Sequence, residues 1–278
     1  MPRERILILI PHPDDEVVGC SAAIGRARAS GASLFGLYLT SGVPLRELLW
    51  PWDRAGREFM VERRWAEAQA AAVSLGLLFV GRQPFATRTL KDHMVETYWR
   101  IDEALKDARA TELWAPAYEG GHQDHDVANF LASRFADRIR VREFPEYNFV
   151  GGRVCSQAFH DADGEEEVIK LVPEEAERKR ARLALYRSEQ GNLGHIRVEQ
   201  ECFRPLRRRD YARPPHPGRL FYQRFQWVPH HPRIDYCRPE EVCQAIARFC
   251  ADHRGRREAS SRSTSRNEPR RADSPGRA

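Results

Sequence analysis

The chain has 278 residues, of which 41% are hydrophobic and 31% are charged, a composition typical of a globular protein and unlike that of a disordered one. The net charge of +5 arises from Arg254 onward, where there are eight arginines and three acids; the remaining body has 37 basic and 37 acidic residues. The body therefore has no basic excess, and we expect no nucleic-acid partner for it.

No apolar run reaches the length of a membrane span, and the first one is too short for a secretory signal. We therefore expect a cytoplasmic protein without a membrane span. In that compartment, six cysteines without a C-x-x-C pair are expected to be free thiols.

From the first apolar run onward, the chain alternates predicted strands with predicted helices. The unbroken apolar run 6–10 is typical of a strand buried on both faces, and Pro11 and Pro13 end it because proline has no N–H to pair. The alternation predicts an α/β fold with a doubly wound, Rossmann-like, mostly parallel sheet. The predicted strands are 6–10, 33–39, 77–80, 111–115 and 140–144, and the predicted helices are 15–29, 61–75, 94–108 and 125–135.

After Pro145 the pattern changes. Segment 192–236 is rich in arginine, proline and aromatic residues, and we interpret it as a cap over a pocket. Strands are predicted at 154–159 and 168–172, and helices at 174–186 and 239–251. The predicted organisation is an α/β domain at 1–190, a C-terminal capping region packed on it at 191–252, and a disordered tail rich in Arg and Ser at 253–278.

Two polar clusters follow predicted strands. Residues 11–16, PHPDDE, come directly after the first strand, and residues 120–125, GGHQDH, come after the fourth. Ligands of open α/β sheets bind outside the carboxyl ends of the strands, so the two clusters are expected to converge there. Histidine and aspartate are ligands that suit a divalent transition metal. The sequence therefore predicts a metal site between the clusters.

Taken together, the two motifs resemble the LmbE/PIG-L family of metal-dependent N-acetylglucosaminyl-type deacetylases. The resemblance covers roughly the first half of the chain well and the region 179–190 loosely. It implies that His12, Asp15 and His125 are the metal ligands. We expect Zn²⁺, which lowers the pKa of its bound water to about 7. Two histidines and a carboxylate also match sites for Fe²⁺ or another divalent metal.

The remaining acidic and imidazole groups of the motifs are predicted to be catalytic. Asp14 is expected to act as the general base on the metal-bound water and then to protonate the leaving amine. A protonated His122 would stabilise the oxyanion that forms from the amide. For Asp124, two roles stay open: it orients His122, or it bonds to a ligand histidine.

Three residues are predicted to contact substrate. Gly121 would let the backbone approach the substrate closely. Ser41 either borders the pocket or belongs to an ordinary turn. Arg64 either faces the pocket or forms an ion pair with Glu67 on the helix surface.

The predicted function is a zinc-dependent hydrolase in which a metal-bound water attacks the amide carbonyl of an N-acetylated amino sugar or sugar conjugate. One alternative is a hydrolase of a non-sugar amide. A second is a non-catalytic protein that binds RNA or other anions through the arginine-rich tail. The expected partner is a small-molecule N-acetyl sugar or glycoconjugate, and the oligomeric state stays open.

Overall fold

The computed structural model describes the backbone of residues 3–265 and the side chains of residues 3–252. The strands are β1 (Arg5–Ile10), β2 (Ser33–Tyr38), β3 (Leu78–Arg82), β4 (Glu112–Pro116), β5 (Arg140–Phe144), β6 (Tyr147–Asn148), β7 (Cys155–Ser156), β8 (Glu167–Lys170) and β9 (Gln200–Pro205). The helices are α1 (Asp15–Ala29), α2 (Arg57–Leu75), α3 (Met94–Asp107), α4 (Gln123–Ser133), α5 (Pro173–Leu183) and α6 (Pro239–Ser265).

Seven of these strands form one sheet in the order β3-β2-β1-β4-β5-β9-β8. The first five run parallel. At one edge β9 pairs antiparallel with β5, and β8 pairs antiparallel with β9. The prediction of a doubly wound, mostly parallel sheet is therefore confirmed. The chain winds outward from β1 to β3 on one side and from β4 to β5 on the other, so the direction reverses between β1 and β4. Such a reversal opens a crevice at the carboxyl ends of the two strands.

The side chains of β1 explain why both faces of the sheet are covered. Because successive strand residues point to opposite faces, Ile6, Ile8 and Ile10 pack with residues of α1 and α2. Leu7 and Leu9 pack on the other face with residues of α3, α4 and α6. The strand is thus held rigidly from both sides, which fixes the position of the turn that follows it.

The boundaries differ from the predictions at several places. Helix α2 begins four residues earlier than predicted, and α4 begins at Gln123 instead of His125. The predicted strand at 154–159 is reduced to the two residues of β7, which pair with β6. Strand β9 lies inside the segment 192–236, for which no strand was predicted.

Helix α6 continues past the predicted end at residue 251 and reaches Ser265. The rest of the predicted tail, 266–278, lies outside the described residues, so its disorder and its proposed binding of RNA stay predictions. Within the described range, no helix combines the length and the apolar character needed to cross a bilayer.

Candidate metal centre

The turn after β1 places two carboxylates side by side at the start of α1. The backbone N–H of His12 donates a 2.7 Å hydrogen bond to Oδ2 of Asp15, which closes the turn. Asp14, between them, has a φ of 134°, a conformation that residues other than glycine rarely adopt. Strain of this kind persists only where the surrounding structure holds it, and it is common at functional sites.

The loop after β4 delivers the second cluster to the same edge of the sheet. His122 is the N-cap of α4, and its Nδ1 atom accepts a 3.1 Å hydrogen bond from the backbone N–H of Asp124. His125 lies in the first turn of α4, and its ring faces His12 and Asp15. Only glycine fits at position 121, because a Cβ atom there would lie 2.4 Å from the backbone oxygen of Tyr147.

The three predicted ligands converge. The Nδ1 atom of His12 lies 3.2 Å from the Nε2 atom of His125, and Oδ2 of Asp15 lies 3.2 Å from each of these nitrogens. Zinc bound tetrahedrally at 2.0–2.1 Å from nitrogen and oxygen ligands requires ligand atoms about 3.3 Å apart. All three residues are buried. The donor set and its spacing therefore fit a divalent metal ion.

The carboxylate of Asp124 lies closer to a predicted ligand than to His122, which favours the second of its two predicted roles. Its Oδ2 atom lies 3.0 Å from Nε2 of His12, whereas it lies 3.7 Å from Nδ1 of His122. It is also held by the backbone N–H of Arg88 at 2.6 Å. If Nε2 of His12 donates to this carboxylate, the lone pair of Nδ1 is left facing the other two ligand atoms.

His12 lies between two carboxylates, those of Asp15 and Asp124. Burial opposes a charged imidazole, yet the charge of Asp15 and the hydrogen bond to Asp124 together raise the pKa of His12 to about 10. Burial likewise opposes an ionised Asp124, yet the hydrogen bond to His12 holds the pKa of that carboxyl well below its usual range. A site that attracts a proton this strongly also attracts a divalent cation, which competes with the proton for the same nitrogen.

Asp14 lies beside the three ligands and lines a cavity. Burial raises the pKa of its carboxyl to about 7, although the guanidinium of Arg64 lowers it. The Oδ2 atom of Asp14 lies 3.4 Å from Nη2 of Arg64. A carboxyl group that titrates near neutral pH can both accept and release a proton at that pH.

Arg64 faces this cavity and not the helix surface. Its Nη2 atom donates a 2.6 Å hydrogen bond to the backbone oxygen of Pro13, and its Nη1 atom pairs with Glu189 at 2.9 Å. Glu67, the partner in the alternative interpretation, instead pairs with Arg63. The interpretation of Arg64 as the partner of Glu67 in a surface ion pair is therefore wrong. Arg64 instead connects the turn that holds Asp14 to the segment after α5.

His122 lines the cavity, but its surroundings in the structure favour a neutral ring and not the protonated ring predicted from the sequence. Burial and the charge of His12 hold the pKa of His122 well below its usual value, so its imidazole is neutral. Because Nδ1 accepts from Asp124 N–H, the proton of the neutral ring is on Nε2. The ring can then donate one hydrogen bond into the cavity as a neutral group, and the charged form predicted from the sequence is not supported.

Ser41 is the predicted contact residue that the structure does not bring to the cavity wall. It is 2% exposed, and its Oγ atom accepts from the backbone N–H of Val43 at 3.3 Å within the same turn. Its neighbour Gly42 lines the cavity instead. The turn interpretation of Ser41 therefore describes its observed contacts.

The cavity above the candidate centre has a volume of about 1000 Å³. Its polar floor includes His12, Asp14 and Asp15. Its walls come from three stretches, 42–64, 188–195 and 221–235, so part of the segment interpreted as a cap does line it. Tyr147 of β6 also lines the cavity and was not singled out from the sequence. The same holds for His195, Phe221 and Arg224, for which the aromatic and basic composition of the segment 192–236 was the only signal.

The segment that carries both motifs matches a known protein family. Residues 7–136 match the profile of the PIG-L family, described as GlcNAc-PI de-N-acetylase. These residues form a PIG-L (LmbE) domain. One relative, the 2'-N-acetylparomamine deacetylase of Streptomyces fradiae, is 32% identical over 141 residues, which cover 44% of this chain and 49% of the relative. The chain thus spans about half the length of this curated relative.

Solved structures share the fold over about three quarters of this chain. The zinc-inhibited form of a teicoplanin deacetylase superposes with a TM-score of 0.57 at 17% identity, over 74% of this chain and 99% of that one. A 4-carboxy-2-hydroxymuconate hydratase from Pseudomonas putida superposes with a TM-score of 0.51 at 16% identity, over 74% and 98%. Because these neighbours differ in named activity, the fold alone does not determine the reaction.

Proposed function

We propose that this chain is a zinc-dependent N-deacetylase that removes acetate from an N-acetylated amino sugar or sugar conjugate. The observation that carries the proposal is the triangle of His12, Asp15 and His125 ligand atoms, each 3.2 Å from the other two, with Asp14 beside it. A divalent metal ion bound there supplies Lewis-acid chemistry, since it acidifies water and polarises an amide carbonyl.

Asp14 is the proton carrier of the proposed reaction. Its carboxylate takes a proton from the attacking water and returns that proton to the amine as the C–N bond breaks. Because burial raises the pKa of this carboxyl, both of its protonation states are accessible near neutral pH, as the two steps require. Arg64 contacts Pro13 and Glu189 and so holds the turn in which the side chain of Asp14 faces the cavity.

His122 is the proposed donor to the carbonyl oxygen. Its Nε2–H is the free donor of a neutral ring whose Nδ1 atom is already engaged. A donor fixed before the reaction stabilises negative charge that develops on the oxygen, and removing one such donor typically costs about 10²–10³ in rate. Asp124 acts on His12, where it selects the nitrogen that faces the metal.

The proposed substrate class rests on the family and on the cavity wall. The PIG-L profile and the paromamine relative are both named for removal of acetyl groups from amino sugars. Aromatic and basic groups such as Trp50, Phe221 and Arg63 line the cavity, and such groups commonly contact sugar rings and their polar substituents.

Two measurements on the purified protein test the proposal. Metal analysis is expected to find close to one zinc per chain, and chelation followed by zinc addition is expected to remove and restore activity. Acetate release is then measured over a panel of N-acetylated amino sugars, their glycosides and N-acetylated amino acids. Release from the amino acids alone would contradict the sugar substrate, and a protein without bound metal at full activity would contradict the metal centre.

A further inference from the structure

The mouth of the cavity is lined by aromatic side chains that face water. Phe59 is 74% exposed and Phe225 is 52% exposed, although both line the cavity. Trp50 also lines it and stacks on the exposed Trp52, with ring centroids 5.2 Å apart and planes 11° apart. Large apolar groups left exposed together at the entrance of a cavity are a common mark of a binding surface.

A cation lies among these rings. The guanidinium of Arg224 lies 3.3 Å from the centroid of Phe221 and 5.2 Å from that of Phe225. None of the carboxylates in the described part of the chain is within ion-pair distance of Arg224, and its Nε donates to the backbone oxygen of Phe221. A guanidinium held over aromatic rings in this way can also contact the face of a ligand ring.

The position of the rings relative to the metal centre indicates which part of a substrate meets them. His12, Asp14 and Asp15 line the cavity and are all less than 10% exposed, so the scissile amide must reach the buried, polar end. Phe59 and Phe225 lie at the solvent end. The volume of about 1000 Å³ is at the upper end for sites that hold drug-sized ligands, which leaves room beyond a single sugar ring.

We propose that the entrance formed by Trp50, Phe59, Phe225 and Arg224 is a subsite for a flat aromatic aglycone carried by the N-acetylated amino sugar. This inference rests on the proposed deacetylase function and adds the class of the group attached to the sugar. The aglycone stacks on the exposed rings and beneath the guanidinium, while the acetamide reaches the buried end of the cavity.

The test compares glycosides of N-acetylglucosamine that differ only in the aglycone: methyl, glucosyl and 2-naphthyl. We expect kcat/KM for acetate release from the naphthyl glycoside to exceed that from the methyl glycoside by about tenfold, in line with stacking and cation–π contacts of ordinary strength. Phe59→Ala and Phe225→Ala each reduce this ratio to about threefold or less. Trp99→Ala, which removes an exposed aromatic of α3 outside the cavity, leaves the ratio unchanged.

Binding gives a second readout that does not depend on turnover. Calorimetry with the deacetylated glycosides, which carry no acetyl group to remove, is expected to show tighter binding of the naphthyl than of the methyl compound, and loss of the difference in Phe225→Ala. Equal binding and equal rates for the two compounds overturn the subsite. A methyl glycoside carrying an N-hexanoyl group that outperforms the naphthyl compound also overturns it, because the rings would then serve the acyl chain.

The outcomes separate this inference from the proposed function. Acetate released equally from every glycoside leaves the deacetylase standing and removes the aromatic subsite. Tighter binding of the naphthyl compound without acetate release from any glycoside supports the subsite and removes the deacetylase. If Phe59→Ala and Phe225→Ala change the oligomeric state in sedimentation without changing aglycone preference, the entrance is a contact between copies and the subsite is overturned.

Discussion

The Nδ1 atom of His12 lies 3.2 Å from the Nε2 atom of His125, although 113 positions separate the two residues in the sequence. They meet because β1 and β4 are neighbouring parallel strands, so the loops that follow them leave the same edge of the sheet. Both strands are buried on both faces, which makes their ends rigid. The centre is therefore built by the pairing of the two strands, and neither motif forms it alone.

Substitution of a ligand distinguishes the two sets of residues that could hold a metal, namely His12, Asp15 and His125, or His12, His122 and Asp124. We expect His125→Ala to weaken zinc binding by more than about 100-fold, since it removes a direct ligand. His122→Gln is the matched control and should keep its zinc while losing turnover. The zinc content of each variant is measured after dialysis. If His122→Gln loses its zinc while His125→Ala keeps it, the metal is bound by His12, His122 and Asp124 instead.

Asp14→Asn separates proton transfer from metal binding. The substitution keeps the shape of the side chain and removes the basic carboxylate, so zinc content should stay unchanged while turnover falls about 10²–10⁴-fold. Asp53→Asn is the control, because Asp53 is an exposed carboxylate that lines the same cavity and is not one of the predicted ligands. Full activity of Asp14→Asn would remove this residue from the reaction.

Asp124→Asn tests the contact with Nε2 of His12. An amide no longer fixes which ring nitrogen carries the proton, so we expect zinc affinity to fall about 10–100-fold, as for other partners of ligand histidines. The measurement is competition with a chelator of known affinity. Asp126→Asn serves as control, since Asp126 accepts from the backbone of Glu119 and Gly120 and has no histidine contact among those described. Equal affinities in the two variants would contradict the role of Asp124.

The parallel strands and the two polar clusters could be predicted from the sequence because both have local signals. The choice of His12, Asp15 and His125 as metal ligands came from the family resemblance and stays a prediction. An apolar run such as 6–10 reveals a strand, and a polar cluster directly after it marks the end of that strand. The partner of Asp124 had no local signal, because His12 is 112 positions away and His122 is two. The neutral state of His122 likewise depends on burial and on the charge of His12, which only the folded chain brings close.

Strand β9 was missed because two of its four buried positions are charged. Glu201 and Arg204 are almost completely buried, where the period of a strand would normally show apolar residues. Each is compensated by a distant partner: Glu201 by Lys179 at 2.9 Å and Arg204 by Glu143 at 2.7 Å. The two partners of such a pair are far apart in the sequence. The residues around a charged side chain therefore give no indication that it will be buried in the folded protein.

Removal of Lys179 from its pair with Glu201 is expected to destabilise the protein strongly. Glu201 also accepts from the backbone N–H groups of Ala22 and Ala23, just after the irregular residue Cys20 of α1. Lys179→Met leaves this carboxylate buried without its cation, and breaking a buried pair in this way costs about 3–5 kcal/mol of unfolding free energy.

Urea unfolding measures the effect of Lys179→Met against a matched exposed pair. Arg26→Met breaks the contact with Glu175 at 2.7 Å, but Arg26 is 46% exposed, so the expected cost is at most about 1 kcal/mol. The double variant Lys179→Met with Glu201→Gln should recover part of the loss, because no buried charge is then unpaired. A cost for Lys179→Met as small as that for Arg26→Met would show that water reaches Glu201.

His160 is expected to make stability depend on pH. Burial lowers the pKa of its imidazole to about 4, although the neighbouring Asp161 raises it, whereas a histidine of the unfolded chain titrates near 6.5. Between these values the unfolded state binds more protons, so the contribution of the neutral ring is complete above pH 6.5 and is lost as the pH falls toward 4. His160→Gln removes the titration. The difference in unfolding free energy, wild type minus variant, should therefore be smaller at pH 5 than at pH 7.5, and a constant difference would mean that the ring is solvated in the folded protein.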